Sequence, residues 1–226
     1  MDKHIHETYM KTILHDIFSS TLKNDLAFKW WTLAYFLYNL DRFSTDIDLD
    51  LLDSTKEQQC IQIIQNILVL HGDIKNETLG NTIHRWIFRY DETNMNIKIE
   101  CNKRVREHNR YHIQTIHDKD ILCMDPSSII TNKLVALSER RYARDLYDIH
   151  FFLQKGRKLN DSLIQERTSQ NTQELIQAII EELPKYFQPQ HILHGLGEVL
   201  DSKQKSRVKT HLLTDTITLL QNYTTK

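Results

Sequence analysis

Residues 46 to 51 read Asp-Ile-Asp-Leu-Asp-Leu, and in an extended chain this alternation puts Asp46, Asp48 and Asp50 on one face and Ile47, Leu49 and Leu51 on the other. Same-face neighbours on a strand stand roughly 6.5 to 7 Å apart, so two carboxylates can share one or two Mg²⁺ ions that in turn hold triphosphate oxygens. Like charges stacked on one face repel unless a counter-ion lies between them, which makes a merely solvated acidic face the less favourable reading. A second acidic position lies in Ile97-Lys98-Ile99-Glu100. With Ile97 and Ile99 on the apolar face, Glu100 points with Lys98 to the other. On a neighbouring strand it would complete a three-carboxylate metal set with Asp46 and Asp48; the alternative is an ordinary exposed glutamate.

The flanking residues carry a resemblance. The run from Phe28 to Leu51, with Lys29-Trp30-Trp31-Thr32 before a short helix and Arg42-Phe43-Ser44-Thr45-Asp46-Ile47-Asp48 closing it, is similar to the first motif of the AbiEii/AbiGii nucleotidyltransferase toxin family. The segment from Asn132 to Leu153, with Lys133-Leu134 and then Arg144-Asp145-Leu146-Tyr147-Asp148, resembles that family's second block. The resemblance covers about the first two-thirds of the chain.

It implies an α+β fold: a nucleotidyltransferase-like mixed β-sheet flanked by helices, followed by a C-terminal helical domain, with the boundary drawn at 124/125. It also implies a catalytic set of Asp46, Asp48, Lys133 and, as the later acid, Asp145 or Asp148, to which the strand pattern adds Glu100. Asp46, Asp48 and Glu100 would hold Mg²⁺ or Mn²⁺, and Trp30, Trp31, Thr32, Ser44 and Lys133 would line the NTP. Lys133 is expected to be a mobile point charge for phosphate. The implied activity is metal-dependent transfer of a nucleoside monophosphate from an NTP to an RNA hydroxyl, with the tRNA acceptor end as one acceptor. The implied role is that of toxin in a bacterial toxin–antitoxin or phage-defence pair, with a cognate antitoxin as partner. Such chemistry proceeds by in-line attack on the α-phosphorus with pyrophosphate leaving, and needs no covalent nucleophile.

Trp30-Trp31 departs from the family pattern, which has Gly-Gly or Gly-Ser there. Glycine lets main-chain N–H groups approach phosphate at the mouth of a helix, and two indoles obstruct that approach. A natural inactive variant, an inactivating change, or a gene that uses UGA for glycine would each give this sequence; the codons at 30, 31 and 86 decide the last. Two further function classes follow. One is a catalytically impaired pseudo-nucleotidyltransferase acting as a binding module, and the other is an antibiotic-type nucleotidyltransferase with a small-molecule acceptor.

Composition sets the outer bounds. The 226 residues suffice for one large or two small domains. Residues 1 to 100 hold ten Lys/Arg against fifteen Asp/Glu, and the rest nineteen against fifteen, an arrangement suited to cations in one part and polyanions in the other. Three widely spaced cysteines and no apolar run of membrane length point to a cytoplasmic protein with no membrane partner. Cationic clusters at Lys103 to Arg110 and at Arg140, Arg141 and Arg144 could meet phosphate. His108 and His112 have helical ligand spacing in a basic setting that disfavours a metal.

Periodicity supplies the elements that must position these groups. It predicts an opening helix through Tyr9, Ile13, Ile17 and Leu22, a short strand from Asp25 to Lys29, and a helix from Thr32 to Leu40 that buries Leu33, Phe36, Leu37 and Leu40. After the acidic strand, Ser54-Thr55 and Glu57 look like a helix cap, and His71-Gly72 ends that helix. Strands follow at Lys75 to Leu79, Thr82 to Tyr90 and Asn96 to Cys101, with turns at Gly80-Asn81 and at 91–94. Asp125-Pro126 opens a helical region, with 160–184 and 189–222 helical and separated by Leu183-Pro184 and by glycines 195 and 197.

Overall fold

A computed structural model describes residues 2–90, 95–188, 192–196 and 199–224. The chain divides into two compact units, one made of residues 1–105 with 111–124 and the other of 106–110 with 125–226. The turn expected at 91–94 and the glycine at 197 lie outside the described residues.

Among the described residues, the first unit is a seven-stranded mixed sheet with three α-helices. Its strands are β1 (Leu26–Lys29), β2 (Asp46–Leu51), β3 (Asp73–Leu79), β4 (Ile83–Arg89), β5 (Asn96–Asn102), β6 (Tyr111–Ile116) and β7 (Lys119–Met124), in the spatial order β3-β4-β5-β2-β1-β7-β6. The β2–β5 and β1–β7 pairs are parallel and the other pairs antiparallel. The helices are α1 (Lys3–Ser19), α2 (Trp30–Tyr38) and α3 (Glu57–His71). Ile47, Leu49, Ile97, Ile99 and Cys101 face a core that they share with Ile13, Ile17, Cys60, Ile64 and Leu68, all fully buried. Alternation thus sorts β2 and β5 into an apolar face under the helices and a charged face on the other side.

Local chemistry fixes the connections. Asp53 caps the short 3₁₀ turn Ser54–Lys56 by accepting from the Thr55 N–H at 2.9 Å, and α3 follows directly. Gly72 ends α3; a Cβ there would come within 2.3 Å of the Arg89 carbonyl oxygen, so the close approach to β4 requires glycine. α2 begins and ends two residues earlier than the apolar pattern predicts. It buries Thr32, Leu33 and Ala34, while Phe36 and Leu37 are only half-buried and Leu40 lies beyond the helix.

The second unit is helical: α4 (Pro126–Arg140), α5 (Ala143–Gln154), α6 (Asp161–Thr168), α7 (Thr172–Tyr186) and α8 (Ser202–Thr224). Asp125 caps α4 by accepting from the Ser127 N–H at 2.8 Å, with Pro126 at the first helical position. Leu134, Leu146, Ile149 and Phe152 supply its core. The single helix expected over 160–184 is two helices. Ser169 adopts a left-handed conformation, and Asn171 opens α7 through a capping box with Glu174. Pro184 does not separate elements; it sits inside the last turn of α7. No helix is long and apolar enough to cross a membrane, a statement limited to the described residues.

Candidate functional site

The register across the sheet decides which charges meet. On β2 and β5, Asp46 lies opposite Lys98, Asp48 opposite Glu100, and Asp50 opposite Asn102; on the other side Asp48 lies opposite Lys29 of β1. β4 brings Arg85 opposite Glu100. Asp46, Asp48 and Glu100 therefore share one sheet face with three cations.

Asp50 is sequestered. It is 1% exposed, paired at 2.6 Å with the buried Lys29 ammonium, and accepts from the Tyr111 hydroxyl at 2.7 Å and the Asn102 amide at 3.3 Å. The third aspartate of the stripe is thus satisfied by the fold itself. Glu100 accepts from Arg85 Nε at 2.6 Å and lies 3.4 Å from Lys98 Nζ. Burial alone would raise its carboxyl, but Lys98 and Arg85 hold it below the usual glutamate value. Lys98 Nζ also lies 3.1 Å from Asp46 Oδ2. Burial works against the Lys98 charge, yet Asp46, Glu100 and Asp48 keep its ammonium above the usual lysine range.

Asp48 differs from its neighbours. Among the described residues, its carboxylate makes no hydrogen bond or ion pair, although it is half-buried. Burial pushes it up to about 7; Lys29 and Lys98 pull it down, and Asp46 and Glu100 add to the rise. An aspartate in this condition lacks a cation. Asp46 and Asp48, two residues apart on one strand face, are the carboxylates that would hold a divalent ion. Glu100 does not join them: among the described residues, no group of three or more His, Cys, Asp or Glu is gathered closely enough to hold a metal ion. Where the sequence suggested a three-carboxylate set, Arg85 and Lys98 both meet Glu100 at Oε1.

Trp30 opens α2 with φ at +65°, a left-handed conformation natural to glycine and strained for a large side chain. Its ring stacks on that of Trp31 with centroids 6.2 Å apart, and the Lys29 ammonium lies 5.4 Å from its centroid. The Arg42 guanidinium covers Trp31 at 5.2 Å. Thr32 and Ser44 are buried and face each other, their hydroxyl oxygens 2.9 Å apart, and Thr32 also donates to the Asp46 carbonyl. These hydroxyls tie the start of α2 to the start of β2. Trp86 is a different case, being fully buried in the extended β4 with its indole N–H donated to Glu77.

In the helical unit, Lys133, Asp145 and Asp148 form a buried charge cluster. Lys133 Nζ hydrogen-bonds to Asp145 and lies 3.9 Å from Asp148, and Arg140 grips Asp145 at 2.8 and 3.0 Å. Lys133 is 6% exposed. Burial lowers its pKa against the pull of Asp148 and Asp145, whereas Asp145 stays below the usual range because Arg140 and Lys133 outweigh its burial. This Lys133 is no mobile point charge; it joins α4 to α5. Members of the cationic clusters are also engaged: Lys103 with Glu57 at 2.7 Å, Arg141 over the Tyr186 ring at 4.0 Å, and Arg144 with the Gly195 carbonyl. His108 and His112 are not on a helix, and His108 lies 3.2 Å from Glu166.

Sequence reasoning gave no role to Arg85 or Lys29. Lys98 was legible as a same-face neighbour of Glu100 by period two, but the meeting with Asp46 depends on β2–β5 register. No local signal encodes that.

A mixed sheet carrying paired strand aspartates, followed by helices, defines the nucleotidyltransferase-like class of fold. The chain resembles the crystal structure of JHP933 from Helicobacter pylori, at TM-score 0.62 and 21% identity over 98% of this chain and 91% of that one. The crystal structure of a putative nucleotidyltransferase from H. pylori matches at TM-score 0.64 and 19% identity, over 97% and 93%. An antigenic nucleotidyltransferase-like protein from Paracoccidioides brasiliensis matches at 0.53 and 14%, over 80% and 88%. No curated protein matches the chain. Residues 12–206 match the family described as nucleotidyl transferase AbiEii toxin, Type IV TA system, and the chain belongs to that family.

Proposed function

We propose that the chain is a metal-dependent nucleotidyltransferase of the toxin kind, transferring a nucleoside monophosphate from an NTP to an RNA hydroxyl, with the tRNA acceptor end as one acceptor. The observation that carries this reading is the Asp46/Asp48 pair, with the Asp48 carboxylate unpartnered among the described residues and pushed up to about 7. Family membership supports the toxin role and a cognate antitoxin as partner.

A divalent ion, Mg²⁺ or Mn²⁺, would be held by Asp46 and Asp48 and would supply charge screening and a lowered acceptor pKa. The chain's own groups set the frame. Lys29 fixes Asp50 and with it the strand that presents the pair, while Thr32 and Ser44 hold the mouth of α2 against β2. Lys98 and Arg85 offset Asp46 and Glu100, which leaves the net negative charge of the face at Asp48. Lys133, Asp145 and Asp148 serve by fixing α4 against α5, since a triphosphate would have to displace Asp145 to reach the ammonium.

One observation favours a second reading. The Trp30 and Trp31 indoles occupy the start of α2, where phosphate would approach backbone N–H groups, and an impaired enzyme that binds without transferring follows from that obstruction. Incubating the purified chain with labelled NTPs, Mg²⁺ and total RNA separates the readings. Label in RNA is the expected result. Label only in small molecules would indicate an antibiotic-type enzyme, and nucleotide binding without label the impaired one.

A further inference from the structure

We propose that Lys98 is a resident cation of the carboxylate face, so that the site takes one divalent ion, at Asp46 and Asp48, and not two. This rests on the metal-dependent reading above and narrows it.

The geometry is that of a bridging ion replaced by an ammonium. Lys98 Nζ spans two strands, 3.1 Å from Asp46 on β2 and 3.4 Å from Glu100 on β5, while Asp48 and Glu100 face each other in the same register. A second metal ion of a two-metal site would need these same oxygens, since such ions sit roughly 3.5–4 Å apart and share a carboxylate. The charge of Glu100 is already met at Oε1, by Arg85 Nε at 2.6 Å and by Lys98 Nζ at 3.4 Å. The Lys98 and Asp46 side chains are 33% and 35% exposed, so the ammonium lies at the open side of the face. With Lys29 committed to Asp50, the Lys98 and Arg85 charges against Asp46, Asp48 and Glu100 leave one negative charge. That balance accommodates one dication readily, whereas a second would enter against both the first ion and Lys98.

The division of labour follows from chemistry. An ammonium screens charge and donates hydrogen bonds, but it has no vacant orbital with which to acidify a hydroxyl. Lys98 can therefore replace a structural, charge-screening ion and cannot replace the ion that activates the acceptor.

Mn²⁺ titration of the 226-residue chain, followed by the EPR signal of free Mn²⁺, tests this without reference to activity. The wild type should bind one Mn²⁺ per chain. Lys98→Met, similar in length but neutral, should bind a second ion, or bind the first on the order of tenfold more tightly. Lys98→Arg, which keeps the charge, should remain at one ion with little change in affinity. Two equivalent ions in the wild type, an unchanged Lys98→Met, or a second ion in Lys98→Arg would each overturn the inference while leaving the metal site standing. If neither wild type nor Lys98→Met binds Mn²⁺ while circular dichroism shows both folded, the metal-dependent reading fails and this inference fails with it.

Discussion

An aspartate held near pH 7 keeps its proton where an unfolded chain has released it, and this sets the sign of its effect on stability. Asp48 rises from 3.8 to about 7, so between these values the native state binds more protons and stability falls as pH rises. Asp48→Asn should therefore stabilise the fold at pH 8 in chelator by about 1–2 kcal/mol, read as a rise in Tm, and change little near pH 4. Added Mn²⁺ should raise the wild-type Tm more at pH 8 than at pH 5 and leave the variant unmoved. A lower Tm for Asp48→Asn at pH 8 without metal would refute the account. Trp30 allows a cleaner comparison, because Ala and Gly remove the same indole. At φ +65° glycine should be more stable than alanine by about 1 kcal/mol, whereas at Trp31, inside α2, alanine should be the more stable by a similar amount. Equal Tm values within either pair would mean that the backbone there does not have these conformations. The acidic stripe itself was readable because period two needs only a single strand. The locking of Asp50 by Lys29 was not, since it depends on β1–β2 pairing.

At the scale of elements, the α4–α5 pair depends on charges buried inside it. Lys133→Ala would leave Asp145 with Arg140 alone and weaken the hold on Asp148, and unpaired buried charges cost about 3–5 kcal/mol. A marked drop in denaturant midpoint is expected. Unchanged stability with lost nucleotide affinity would instead make Lys133 a phosphate contact. Because Asp145 is held below its usual value, its stabilisation is fully present above about pH 4 and disappears as pH falls through the lowered value. Helix spacing revealed the positions of Lys133 and Asp145, but not their burial, because packing partners decide that. The β6–β7 hairpin escaped for a different reason. Its turn is His117-Asp118, both at positive φ, where Asn-Gly would have been a clear signal, and the edge strand β6 is largely polar or half-exposed. The break between α6 and α7 was hidden in the same way, with Ser169 in a left-handed conformation that usually announces itself as glycine.

On the scale of the whole chain, the sequence leaves the sheet unit at residue 106, returns at 111, and departs again after 124. Residues 106–110 are bound into the helical unit by Asp125 N–H donating to the Arg110 carbonyl at 2.8 Å, Arg110 N–H donating to Ser128 at 2.9 Å, and the Asn160 amide donating to the His108 carbonyl at 2.8 Å. The Asp125-Pro126 signal was legible in the sequence, but this short excursion was not, for it consists of contacts made with residues far ahead. A fragment ending at 124 retains every strand of the sheet and should show native-like β signal in far-UV circular dichroism. One ending at 110 lacks β6 and β7 and should be insoluble or unfolded, and a soluble, folded 1–110 fragment would contradict this. The parallel pairing of β1 with β7, through Phe28 and Cys123, also imposes an order on biosynthesis. At on the order of 5–20 residues per second, β1 emerges from the ribosome several seconds before its second neighbour exists. Throughout that interval the nascent chain carries an open strand edge flanked by apolar residues, so demand for chaperones should peak before β7 has been synthesised.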